Sequence, residues 1–255
     1  MERENVVKSV ARALDVIELV SSSKQGLGVT EIAKRMDINK SSVFRILATL
    51  SQYGYIEQHK ETGKYQLGYM FLAVSSKLLD SLDVRTEASP ILKGLEKETN
   101  EVVHLVVYDQ GEVVYIEKLD GSETLRMHSK VGKRAPVHCT SVGKAILSHL
   151  PTDDVLDIIE RKGLSPHTSH TIVEKDDFLK ELEKVKRKGY ALDLEENEEG
   201  IRCIAAPVFD HTGSVAAAVS ISGPTLRMTD ERIEDLSERM IQAGRDISKR
   251  LGYSS

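Results

Sequence analysis

The stretch Val29–Leu50, VTEIAKRMDINKSSVFRILATL, decides how the chain is read. Val43, Ile46, Leu47 and Leu50 recur at i, i+3, i+4 and i+7, which places them on one side of a helix. At roughly 100° per residue, Ser41, Arg45, Ala48 and Gln52 then face the other way. Asp37 to Asn39 supply turn residues, and Asn39 is the expected N-cap. Upstream, a shorter helix starting near Thr30 has Ile32, Ala33 and Met36 as its inner face. Two short helices joined by a tight turn, the second with an arginine-centred polar face, fit a recognition helix for the DNA major groove.

Outward on the N-terminal side, Val6, Val10, Ala13, Leu14 and Ile17 have helical spacing and predict a first helix within 5–23. Ser21–Ser23, Gly26 and Gly28 end it. On the C-terminal side, YGYIEQHKETGKYQLG changes period and reads as a hairpin with Gly63 at its tip. Three helices and a hairpin make a winged helix over residues 1–68. The candidate DNA contacts are Thr30, Asn39, Lys40, Ser41, Ser42, Arg45, Thr49 and Gln52, with Lys60 and Lys64 at the wing. A protein-binding winged helix with a merely solvated face is the competing interpretation. Clustering of Asn39 to Arg45 at the start of the second helix favours DNA, because that end is presented to bases and phosphates.

The charge supports this division weakly. The chain has a net charge of −5, but residues 1–68 hold ten Lys/Arg against eight Asp/Glu, and the remainder 25 against 32. A mildly basic head sits on an acidic body. The 40% hydrophobic content is that of an ordinary soluble protein, and no apolar run is long enough for a transmembrane helix. The N-terminus mixes acids and bases and is not a signal peptide. Cys139 and Cys203 are far apart and outside any CxxC pattern, so a reducing, cytoplasmic setting is expected.

Residues 69–82 predict an apolar linking helix of the buried kind. Asp83 opens another helix to about Asn100, where Pro90 either kinks it or marks its true start. Strands are expected at 101–109, 111–119 and 124–130, with a turn at Asp109–Gly111, then an irregular loop at 132–136. Thr140 or Ser141 caps a short helix and Thr152 a second. Residues 176–188 form a charged helix with Phe178, Leu182 and Val185 inward, its KVKRK run being a solvated face. A strand at GYALDL, two more around the HTG turn at 211–213, and a closing helix at 229–251 complete an antiparallel sheet with outer helices. The fold class is α+β.

With SVARALDVIEL, VTEIAKRMDINKSSVFRILATLSQYGYIE and KYQLG in the first half, and HCTSVGKAIL, RKGYALDLEENEEGIRCIAAPVFD and AAVSISGP in the second, the chain resembles the IclR family of bacterial transcription regulators over nearly its full length. The resemblance implies a GAF-like C-terminal domain, 83–255, that binds a small organic acid, and dimers or tetramers that bind palindromic promoter sites. It implies a repressor, with an activator as the alternative. It also places Ser141, Val142, Asp193, Ile201, Cys203, Ser220 and Ser222 around an effector pocket, with Thr124 and Met127 as further matched positions. Cys139 departs from the small aliphatic residue common in that family.

The residues support the pocket on their own terms. A helix start at 141 favours an anion, and Gly143 would let a ligand approach the backbone closely. Ser220 and Ser222, two apart on a strand, offer hydroxyls to one face, and Asp193 can accept from a ligand hydroxyl. A thiol enzyme using His138, Cys139 or Cys203 is the rival class, disfavoured because strand neighbours point to opposite faces. Zinc held by Cys139, Cys203, His138 and Asp193 would match no closed metal motif. His167 and His170 read as surface-loop histidines. No cofactor, resident metal or membrane partner is expected.

Overall fold

The computed structural model describes residues 6–79, 83–121 and 129–254. The chain divides into two compact units, residues 1–81 and 82–255.

The first unit contains α1 (Lys8–Ser21), α2 (Val29–Met36), α3 (Lys40–Gln52), β1 (Ile56–Gln58), β2 (Tyr65–Leu67) and α4 (Met70–Leu79). Asn39 caps α3, its Oδ1 accepting from the Ser42 N–H at 2.8 Å. Asp37 adopts a left-handed conformation after α2, which reverses the chain within the turn. The core is Val16, Val20, Leu27, Ile32, Ala33, Val43, Leu47, Ile56 and Tyr65. Full burial of Val43 and Leu47 contributes about 1.5–3 kcal/mol each. Leu27 exchanges both backbone hydrogen bonds with Tyr65, attaching a third short segment to the hairpin. Gly26 permits this approach: at φ +70°, its added Cβ would lie 2.7 Å from the Tyr65 carbonyl oxygen.

The structure settles the buried face of α1, which the spacing left open, and corrects the expectation for α4. The buried stripe of α1 runs through Val16 and Val20, with Ala13 and Ile17 at its border, whereas Val6, Val10 and Leu14 are exposed. Period alone could not choose between the two adjacent apolar stripes of a helix apolar on both. Likewise α4 is not buried within this chain, since Leu72 is 67% exposed and Tyr69, Met70 and Val74 are also exposed.

The second unit contains α5 (Val84–Thr99), β3 (Val102–Asp109), β4 (Glu112–Leu119), β5 (Arg134–Pro136), α6 (Ser141–Leu147), α7 (Thr152–Lys162), α8 (Lys175–Lys188), β6 (Ala191–Leu194), β7 (Ile201–Phe209), β8 (Val215–Pro224) and α9 (Asp230–Arg250). Its sheet is antiparallel in the order β5-β4-β3-β8-β7-β6. Alternate residues separate the two faces. Leu105, Ile204, Ala206, Val219 and Ile221 pack with α5 and α9. Val106, Ala191, Ala205 and Ala218 belong to the cluster that contains α6, α7 and α8. The Gln110–Gly111 turn has positive φ at both residues, as a two-residue hairpin with right-handed twist requires.

Local corrections follow from long-range pairing. Residues 134–136, expected as part of an irregular loop, form β5 because β4 offers them a ladder. Pro90 lies inside α5, which Asp83 caps at Arg85 N–H, so the proline does not mark the helix start. Thr152 is the first residue of α7 and makes no side-chain cap. The strand expected at 124–130 lies largely outside the described residues. No helix among the described residues is long and apolar enough to cross a membrane.

Candidate functional site

Two surfaces carry polar groups that the folding of their own unit leaves available. On α3, Lys40, Ser41, Arg45, Ala48, Thr49 and Gln52 are exposed, opposite buried Val43 and Leu47. The Arg45 guanidinium has no partner among the described residues. Ser42, Arg45 and Thr49 line an open groove between α1 and α3, together with Arg12. Arg12 was missed by sequence reasoning because its position beside α3 depends on helix packing. The hydroxyl of Thr49 donates to the Arg45 carbonyl, and that of Ser41 to Asn39, so each has only acceptor capacity left. Thr30 is exposed at the start of α2. In the wing, Lys60 is exposed and Lys64 half-buried. Its tip is closed by His59 N–H to Lys64 O and Gly63 N–H to His59 O, at 2.8 and 2.9 Å.

The second surface is a cavity of about 430 Å³ inside the sheet unit. Register builds its floor. Asp193 on β6 pairs with Cys203 on β7, which pairs with Ser222 on β8, and Ser220 pairs with His104 on β3. Equal parity puts these side chains on the sheet face shared with α6. The wall comes from Thr140, Ser141 and Val142 at the α6 start, with Ile201, Tyr115 and Asn197; Lys133, Arg134 and Glu198 also line the cavity. Every effector candidate among the described residues reaches this cavity except Gly143.

Gly143 corrects the expectation of close ligand approach. A Cβ there would lie 2.2 Å from the Val137 carbonyl oxygen and 2.4 Å from its Cα. The glycine therefore lets α6 pack onto the backbone of residue 137. Its N–H is taken by the Thr140 side chain, which is the cap of α6. Thr124 and Met127 lie outside the described residues.

His104 is the residue of the cavity floor that sequence reasoning missed. Burial pushes its imidazole down to about 3, so the ring is neutral at ordinary pH. One ring nitrogen lies 2.8 Å from the Ser129 hydroxyl, and the other 3.5 Å from both Ser220 and Ser222. The ring edge also meets Tyr115, centroids 4.9 Å apart. A histidine in a β-branched run carries no local signal for this; only the β3–β8 register reveals it.

Asp193 sits beside a buried ion pair. Its Oδ1 accepts from the N–H groups of Glu196 and Asn197 at 2.7 and 3.3 Å, fixing the acidic turn after β6. Burial, then the neighbouring Glu196 charge, raise its carboxyl to about 7. Lys144, fully buried on α6, donates to Glu196 Oε1. Burial raises Glu196 despite that pairing, and its Oε2 has no hydrogen-bond partner in the structure.

Neither cysteine is prepared as a nucleophile. Burial, with the nearby Asp193 charge, pushes the Cys139 thiol up to about 12 and raises Cys203 well above its usual range. The strand argument used against His138 and Cys139 does not hold, because residues 137–140 are a bend rather than a strand. His138, Cys139 and His167 in fact converge, each offering a ligand atom within 4.8 Å of the others. Cys203 and Asp193 are not part of that group.

Comparison with known proteins agrees with this geometry. Residues 9–60 match the profile described as the IclR helix-turn-helix domain, and residues 76–249 that of the bacterial transcriptional regulator IclR C-terminal region. The chain is 36% identical to the HTH-type transcriptional regulator XynR of Escherichia coli K12, covering 97% of this chain and 98% of the relative. It is 32% identical to the transcriptional repressor IclR of the same organism, over 96% of this chain and 90% of that one. Among solved structures, the Agobacterium tumefaciens repressor BlcR superposes with a TM-score of 0.87 at 27% identity, covering 98% of this chain and 99% of that chain.

Proposed function

Because the chain belongs to the IclR family of bacterial transcriptional regulators, we propose that it is a cytoplasmic repressor whose grip on a palindromic promoter site is set by a small organic acid. The cavity floored by Asp193, Cys203, Ser220, Ser222 and His104 is the observation that carries ligand control. A cavity of this size with hydroxyl, imidazole and amide groups suits a small hydroxy- or keto-carboxylate better than an apolar ligand. Arg134 in the lining is already paired with Asp109 and Glu112, so the carboxylate is met by the neutral donors of the cavity, and Asp193 in its neutral form accepts or donates to a hydroxyl.

DNA is read by α3. Arg45 is long enough and free enough to pair with a guanine edge, while Lys40, Ser42, Lys60 and Lys64 meet phosphates. Thr30 and Gln52 flank that face. A homodimer or a tetramer of such dimers presents two α3 helices about 34 Å apart for two half-sites. The sign of regulation is supported by the IclR and BlcR relatives, both named repressors. The acid controls binding only if it prefers one arrangement of the heads.

A thermal-shift screen of sugar acids, keto acids and aromatic acids, followed by operator titration with and without the best binder, tests the reading. A stabilising acid that weakens operator binding supports repression relieved by ligand. An acid that strengthens binding and raises transcription would make the protein an activator instead. Equal operator affinities in saturating ligand overturn ligand control.

A further inference from the structure

We propose that His138, Cys139 and His167 hold a divalent transition-metal ion of the zinc class. The site lies beside the cavity, and the inference does not depend on what fills that cavity. The ligand atoms come from two separate segments, the bend before α6 and the loop between α7 and α8, which is why no metal motif is visible in sequence. Two imidazoles and a thiol are the donor set of borderline-soft cations, and calcium or magnesium would prefer oxygen ligands.

The three atoms lie within 4.8 Å of one another. Tetrahedral zinc, with bonds of about 2.0–2.3 Å, sets its ligands about 3.3–3.8 Å apart. Closing that difference takes about an ångström, and His167 is exposed and able to make the adjustment.

The segments around the ligands are already tied down. The His138 Nε2 is 2.9 Å from the Ser165 carbonyl and must donate to it, which fixes the tautomer and leaves Nδ1 with its lone pair. The backbone N–H of His167 donates to Thr171 Oγ1, and the Thr168 and Thr171 hydroxyls donate to the carbonyls of Glu195 and Glu196. Cys139 Sγ is 3.6 Å from Asn197 Oδ1, an amide that can turn its N–H₂ toward a thiolate. The buried Glu196 carboxylate nearby is already balanced by Lys144, so the charge of the metal is met by the Cys139 thiolate that uptake creates. His167 also lines the cavity, so the fourth coordination position is open to water or an oxygen ligand from there. Uptake replaces the Cys139 thiol proton by the metal and releases that proton to solvent.

The test is titration of chelator-stripped, reduced full-length protein with Co²⁺, followed by displacement with Zn²⁺. The expected result is one Co²⁺ per chain with a thiolate-to-cobalt charge-transfer band, lost in Cys139→Ser and weakened by about tenfold or more in His167→Gln. Cys203→Ser and His170→Gln should bind as the parent does. Absence of a thiolate band in the parent overturns the proposal, as does a band that survives in Cys139→Ser but vanishes in Cys203→Ser. Should the fully buried Cys139 fail to tolerate serine, unchanged Co²⁺ affinity in His167→Gln overturns it alone.

Discussion

Arg45 and Asp193 are the residues where small changes have the most specific consequences. Arg45 is exposed on a helix whose opposite side is fully buried, so Arg45→Ala should leave the fold intact. Operator affinity should fall by about 1–3 kcal/mol, with sequence preference relaxed at the contacted base pair. Fluorescence anisotropy on wild-type and substituted operators checks this, and unchanged preference would remove Arg45 from base reading. Asp193 is raised to about 7 by burial and by Glu196. An acid whose folded pKa lies above its unfolded value loses native stability as pH rises from near 4 to near 7, because the unfolded chain deprotonates first. In the same way, an anionic effector should bind most tightly below pH 7 and progressively more weakly above it, as Asp193 ionises. Calorimetric titration between pH 6 and 8.5 should show this slope in the parent and a flatter one in Asp193→Asn.

At the scale of elements, α6 and the wing make contrasting demands. Helix α6 has its whole length buried, and it carries Lys144 into the interior against Glu196. Removing one member of such a pair leaves an uncompensated charge, so Lys144→Ala should destabilise by about 3–5 kcal/mol. Chemical denaturation reads that loss directly, and a change below about 1 kcal/mol would show that water already screens Glu196. The wing lysines are different in kind. Lys60→Ala with Lys64→Ala should lower affinity for all DNA sequences alike and reduce the salt dependence by about one to two phosphate equivalents per head. Binding measured over a salt series separates this from the Arg45 effect. Element positions were largely legible in the sequence: Asn39 caps α3, Asp83 caps α5, and Phe178, Leu182 and Val185 are the buried stripe of α8. What the sequence missed or left open has physical causes. β5 exists only because β4 offers hydrogen bonds, and the inner face of α1 was chosen by its neighbours rather than by its own pattern.

At the scale of the whole molecule, Met70, Leu72 and Val74 of α4 are exposed with Tyr69 just before it, and Val10 and Leu14 of α1 with Val6 just before it. Apolar side chains in such numbers are usually covered by a partner. We expect a second copy to cover them, and light scattering across a concentration series should show a dimer or tetramer. Leu72→Glu should shift that equilibrium toward monomer and weaken operator binding with it, since a lone head has half the phosphate contacts. A monomeric parent with full operator affinity would rule out this arrangement.

The sequence by itself determined the helix-turn-helix, the wing, the α+β class and most of the polar residues that border the cavity. The first three follow from local periodicity, caps and turn chemistry, which act between residues near in the chain, whereas the cavity residues follow from the resemblance to the family. Tertiary structure alone decided that His104 joins Ser220 and Ser222, that Gly143 accommodates backbone rather than ligand, and that His167 meets His138 and Cys139. Each depends on strand register or on two distant loops folding against one face. A pairing across the sheet is set by the sum of many side-chain packings, and no single segment of the chain carries that sum.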